Sequence, residues 1–235
     1  YEGGKDCDFR VDASASYLYE KGCAREIHRY NNSAKIVILL RNPINRAFSA
    51  YSHMRRDFRE PLSSFDDALD AEEQRKKNNW MPIWHYQEMG LYASQVHEYL
   101  DVFGESNVLI DTFESFMADR EGFFHRLYDF LGVTVGSGYV WQSEINSNDS
   151  REPKSKILHL FIRNENILKS FVKPFIPAFI RNKIINKVKA VNAGVKPRIT
   201  ADQAERLKNY YCEDVRMLKR LGKVELSSWS EFTDE

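Results

Sequence analysis

The sequence predicts an α/β fold, a doubly wound parallel sheet with a helical C-terminal third, and three observations carry that reading. Two short runs rich in β-branched and aliphatic residues, Ile36-Val37-Ile38-Leu39-Leu40 and Val108-Leu109-Ile110, are each followed by helical periodicity. Between them lie stretches with helix starts and stops, the alternation that puts strands in parallel with helices across them. After Gly138 no strand pattern recurs. The 235 residues, with 43% hydrophobic residues, are enough for one domain with a substantial core, so the whole of 1–235 is read as a single domain.

Each element has its own signal. Ser16 to Tyr30 has the apolar spacing of a short helix, and Asn31-Asn32-Ser33 marks a turn. The run from Ile36 to Leu40 reads as a central strand covered on both faces. Asn42 then supplies a helix N-cap and Pro43 a first helical position, where the missing N–H costs nothing, and this helix is expected to run to about Arg56. The segment Ser64-FDDALDAEEQRKK has early acids and late bases that match a helix dipole. Trp80-MPIWHY reads as an aromatic loop, Met89 to Phe103 as a helix, Asn107-VLIDTF as the second strand, and Phe116 to Leu131 as a helix stopped by Gly132. Thr200 caps a long amphipathic helix ending at Gly222, and Leu226-SSW is expected to pack back on the body.

Composition narrows the function classes. The formal net charge of zero argues against a general nucleic-acid binder. It hides an asymmetry, because 151–198 holds twelve Lys or Arg against two Glu, a local balance of +10. Three scattered cysteines make neither a disulfide framework nor a zinc spacing, and are read as reduced thiols in a cytoplasmic setting. No run of eighteen apolar residues and no signal peptide is visible. Within the basic region, 155–192 interleaves Leu, Ile and Phe with Lys and Arg, the composition of helices that either bury their apolar faces on the body or lie on an anionic membrane.

A strand ending in an arginine beside a capped helix N-terminus is a place where an anion can sit. Arg41 offers a guanidinium fork, and Ser49, two turns along the helix, offers a hydroxyl. The alternative is an Arg41 paired with a surface acid and a Ser49 facing solvent. Arg46 and His53, seven residues apart, share a helix face. Trp80, Trp84 and Tyr86 could stack on a flat ligand face, or could pack as core and rim.

The segment RNPINRAFSAYSHMR from Arg41 resembles the 3′-phosphate-binding segment of sulfotransferases that use 3′-phosphoadenosine 5′-phosphosulfate. The likeness continues in order through Ser14-ASYL, Phe65-DDAL, Gly90-LYASQV, Val108-LIDTFESF, Phe130-LGV and Leu226-SSW, and is greatest to bacterial members and the Golgi carbohydrate sulfotransferases. The resemblance implies a P-loop-NTPase-like sheet, Arg41 and Ser49 on the 3′-phosphate of the co-substrate, and Lys154 of Asn146-SNDSREPKSK near the nucleotide. It implies transfer of the sulfuryl group to a hydroxyl or amine, with a carbohydrate favoured over another small-molecule acceptor, and no metal. Arg46, His53 and Trp84 are the expected acceptor contacts.

The sequence also departs from the family. The glycine-bearing phosphosulfate loop of the Pro-Lys-x-Gly-Thr-Thr type is not found, and Tyr1-EGGKDCDF lacks its preceding strand and paired hydroxyls. Where relatives carry a lysine or a histidine this chain has Ala13 and Ala15, which move no proton. Both the first strand with its loop and the catalytic base are therefore expected upstream of Tyr1, with these 235 residues inactive alone. The competing reading is a relative that binds a nucleotide or glycan without turnover. The expected location is cytoplasmic, with peripheral membrane contact through 155–192 as the alternative use of the basic segment.

Overall fold

The computed structural model describes residues 10–134, 155, 188, 191–192, 194 and 197–233. Helix α1 (Cys23–Tyr30) leads into β1 (Ile36–Leu40), then α2 (Pro43–Arg56), α3 (Phe65–Asp70), α4 (Glu72–Lys77) and α5 (Tyr92–Phe103). Strand β2 (Val108–Thr112) follows, then α6 (Phe113–Ala118), α7 (Arg120–Leu131) and the long α8 (Ala201–Arg220). The two strands pair in parallel from Ile36 opposite Val108 to Leu40 opposite Thr112. Among the described residues this is one parallel crossover rather than the wider doubly wound sheet expected.

Most boundaries follow local chemistry. Asn42 caps α2 as expected, its side-chain oxygen accepting from Ile44 N and Asn45 N, with Pro43 in the first turn. Ile44, Ala47, Tyr51 and Met54 recur at helical spacing and are all buried. Thr200 and Gln203 form a reciprocal capping box at the start of α8, and Gly132 closes α7 in the left-handed conformation.

Three expectations are corrected. The Ser64 segment is two helices meeting at Ala71, and the Phe116–Leu131 stretch is divided at Asp119. Asp119 accepts from Gly122 N at 2.9 Å, so its side chain starts a new helix instead of continuing the old one. Strand β1 is covered on one face only: Ile38 and Leu40 are buried, whereas Val37 and Leu39 are each 43% exposed.

The core lies where α8 crosses α5 and α2. Leu207, Tyr211 and Leu218 of α8 meet Val96 of α5 and Ala47 and Met54 of α2, all essentially unexposed. Trp229 of the C-terminal segment is fully buried against the body, as the sequence suggests, its ring 6.2 Å from that of Tyr92. No helix of the described residues is long and apolar enough to cross a membrane. The basic segment 155–192 lies almost wholly outside the described residues.

Candidate functional site

The two strand ends build one turn. Because the ladder closes with Leu40 opposite Thr112, the next residues on each strand, Arg41 with Phe113 and Asn42 with Glu114, emerge side by side. The Arg41 guanidinium lies over the Phe113 ring, 5.4 Å from its centre. The Asn42 N–H donates to Glu114 Oε1 at 3.1 Å, and the Asn42 amide donates to Glu231 Oε2 at 2.9 Å. Glu114 Oε2 in turn accepts from the Trp229 indole at 3.0 Å. The Arg41 carbonyl is held by the Tyr92 hydroxyl at 3.0 Å. Burial pushes that hydroxyl up to about 12, so it stays protonated and donates.

What this turn presents is a cation. Among the described residues the Arg41 guanidinium has no carboxylate and no hydrogen-bond acceptor, only the Phe113 face. The Ser49 hydroxyl likewise has no hydrogen bond among the described residues, although Ser49 is half-buried. The first amides of α2 are less available than a bare helix end would make them. Ile44 N and Asn45 N are taken by the Asn42 side chain at 3.0 and 3.3 Å, and Arg46 N by the Asn42 carbonyl at 2.8 Å. An anion here meets the Arg41 fork and the dipole of a 14-residue helix rather than free backbone donors.

The other expected contacts go elsewhere. Arg46 points inward and donates to the Tyr86 carbonyl, while its Nε is buried without a hydrogen-bond partner among the described residues. The Tyr211 hydroxyl, 2.9 Å from the Gln87 carbonyl, closes the same junction. His53 lies at the far end of α2, 3.5 Å from Asp57. Trp84 stands edge-on to Trp80 with ring centres 5.2 Å apart, and Arg59 covers its ring at 5.2 Å. Tyr86 is withdrawn from the aromatic surface altogether, being unexposed with its hydroxyl 2.6 Å from Glu60 Oε2. Lys154 lies outside the described residues.

A second polar cluster has no counterpart in the sequence reading. The Tyr19 hydroxyl is 2.8 Å from Glu88 Oε2 and 2.8 Å from His85 Nδ1, and Lys76 reaches Glu88 at 2.8 Å. Burial lowers the His85 pKa. Burial alone would raise that of Glu88, but the Lys76 ammonium and the Tyr19 hydroxyl hold it below the usual carboxylate value. Tyr19 and His85 are 66 residues apart, and neither sits in a motif. Glu114 and Trp229 lie in segments that the sequence singles out, Val108-LIDTFESF and Leu226-SSW, but their meeting at Asn42, like that of Glu231, is made only by the fold.

Comparison with known proteins gives a consistent picture. Residues 11–136 match the model of the sulfotransferase family. The human protein heparan sulfate glucosamine 3-O-sulfotransferase 6 is 26% identical over 131 residues, which are 54% of this chain and 36% of that protein. Human carbohydrate sulfotransferase 15 is 24% identical over 168 residues, 63% of this chain and 30% of that one. The match thus spans about a third of the length of these curated relatives. The crystal structure of a sulfotransferase from Alicyclobacillus acidocaldarius superposes with a TM-score of 0.65 at 31% identity, covering 93% of this chain and 66% of that chain.

Proposed function

The chain belongs to the sulfotransferase family, and from that premise we propose that the protein transfers the sulfuryl group of 3′-phosphoadenosine 5′-phosphosulfate to a hydroxyl or amine of a carbohydrate. In such a transfer the acceptor oxygen or nitrogen bonds to sulfur as the bridging sulfur–oxygen bond breaks, and 3′-phosphoadenosine 5′-phosphate leaves. Arg41 and Ser49 hold the 3′-phosphate in this reading, and Lys154 approaches the nucleotide.

The observation that carries it is the Arg41 guanidinium, set at the C-terminal end of a parallel strand with only an aromatic ring beside it among the described residues. A dianionic phosphate matches an uncompensated fork. A carbohydrate acceptor is favoured by two relatives whose names state a heparan sulfate glucosamine and a carbohydrate as what they sulfate. Trp84 and Trp80, edge-on to each other at the rim, are the rings left to meet a sugar. Arg46 is better read as a brace of the α2–Tyr86 junction than as an acceptor contact.

Calorimetric titration of 3′-phosphoadenosine 5′-phosphate into the full-length protein and its Arg41→Ala form tests the donor site. Loss of a charge-assisted contact is expected to cost about 2 kcal/mol or more, roughly 30-fold in affinity. Equal affinities overturn the assignment. Labelled donor offered with oligosaccharides, phenols and amines tests the acceptor class. Sulfation of non-sugars alone overturns the carbohydrate reading, and tight binding of the nucleotide without turnover on any acceptor overturns the transferase.

A further inference from the structure

We infer that Glu114 is a positioning residue for the donor: it sets the conformation of the Arg41–Asn42 turn and so aims the Arg41 fork. The inference rests on Arg41 as the 3′-phosphate ligand and deepens that reading. Its basis is the use to which the Glu114 carboxylate is put. One oxygen accepts the Asn42 N–H at 3.1 Å and the other the Trp229 indole N–H at 3.0 Å, so a single side chain ties the end of β1 to the C-terminal segment. Asn42 is 2% exposed and Trp229 is unexposed. Removing the carboxylate therefore takes the acceptor from two N–H groups carried by buried residues.

The placement is otherwise hard to account for. A carboxylate close to a phosphate site weakens anion binding by repulsion, and Glu231 adds a second one on the Asn42 amide. That penalty makes sense if the charge is spent on fixing the backbone. Asn42 sits at φ −41° and ψ 120°, outside the helical region, and this bend turns the chain from β1 into α2. The Arg41 carbonyl is pinned from the other side by Tyr92 at 3.0 Å. The Arg41–Asn42 peptide unit is thus held at both edges, its N–H by Glu114 and its C=O by Tyr92, and the guanidinium stacked on Phe113 leaves from a defined backbone. Releasing the Asn42 N–H leaves that peptide unit held by its carbonyl alone, able to rotate about that one contact, and lets the fork swing away from the phosphate.

The test compares affinities for 3′-phosphoadenosine 5′-phosphate and adenosine 5′-phosphate in the full-length protein and its Glu114→Ala, Glu114→Gln, Arg41→Ala and double Arg41→Ala/Glu114→Ala forms. The ratio of the two affinities reports the 3′-phosphate alone, and a merely structural role would leave it unchanged. Glu114→Ala is expected to lower the ratio roughly tenfold, and the double variant to fall no further than Arg41→Ala by more than about twofold. Glu114→Gln keeps an acceptor for only one of the two N–H groups and is expected to lower the ratio about threefold; it serves if the alanine variant does not fold. A ratio that is unchanged or raised in the glutamine variant overturns the inference, while a loss in Arg41→Ala leaves the Arg41 reading standing. An Arg41→Ala ratio equal to wild type, or a wild type that does not discriminate the two nucleotides, overturns both.

Discussion

Arg75 places two guanidinium nitrogens on the carboxylate of Glu60, at 2.9 and 2.7 Å, with the two side chains 5% and 0% exposed. The Tyr86 hydroxyl and the Leu62 N–H complete the carboxylate at 2.6 and 3.0 Å, and the Trp80 ring covers the guanidinium at 5.0 Å. The desolvation of both ions is thus offset by a filled set of hydrogen bonds, and the pair ties α4 to the segment after α2 beneath the aromatic loop. Removing one partner strands the other charge. Arg75→Ala is expected to cost about 3–5 kcal/mol of stability in urea unfolding. The double variant Arg75→Ala/Glu60→Ala should cost less than the sum of the singles by roughly 1–3 kcal/mol. Additive losses would show that the pair is not coupled.

What the sequence disclosed and what it hid divide by range. The β1–α2 junction was legible because Asn42 and Pro43 act on their own neighbours, and Arg41 stands beside them. The breaks at Ala71 and Asp119 were not, since one acid-to-base gradient runs through the first and apolar spacing through the second, where the Asp119 side chain on Gly122 redirects the backbone. An all-aliphatic strand looked buried on both faces, yet alternation left Val37 and Leu39 half-open. The supports of the Arg41 turn come from 72 and 189 residues away at Glu114 and Glu231, separations at which no local pattern speaks. Arg46 shows the converse: helical spacing put it on a face with His53, but a long side chain can turn inward, and it ends on the Tyr86 carbonyl.

Asp214 of α8 supplies the cap that α5 lacks. Leu91 at the α5 N-cap makes no side-chain cap, and the Asp214 carboxylate accepts instead from Tyr92 N at 2.6 Å and Ala93 N at 3.2 Å. Since the Tyr92 hydroxyl holds the Arg41 carbonyl, the cap also steadies the site. Asp214→Ala should cost about 1–2 kcal/mol and speed hydrogen exchange at the Tyr92 and Ala93 amides, with Asp214→Asn closer to wild type. Unchanged exchange at both amides would mean that α5 needs no cap from α8.

Gly90 is fixed by a close approach rather than by its backbone angles. A Cβ there would lie 2.8 Å from Tyr211 Cε1 and 2.9 Å from Cζ and Oη. That ring is unexposed and its hydroxyl sits 2.9 Å from the Gln87 carbonyl, so it cannot step aside cheaply. Gly90→Ala is expected to destabilise by about 1–3 kcal/mol in the same urea assay. A cost near zero would show that α8 shifts to admit the methyl group.

His85 gives a pH dependence whose sign follows from its burial. It is 8% exposed, and burial holds its pKa below the ordinary imidazole value of about 6.5. The groups around it pull both ways: Glu88 and Glu20 favour the charged ring, Lys76 disfavours it, and the Tyr19 hydroxyl lies 2.8 Å from Nδ1. In the fold His85 stays neutral where in the unfolded chain it would take a proton. The stability it contributes is therefore fully present above the ordinary value and is lost as pH falls from there through the lower folded value, after which no more is lost. Thermal midpoints of wild type and His85→Gln, measured from pH 8 down to pH 5, isolate this contribution because the remaining histidines titrate in both. The expected result is a gap that narrows, or reverses in favour of the variant, as pH drops. A gap that is constant across the range, or that widens on acidification, would show that the fold stabilises the charged ring instead.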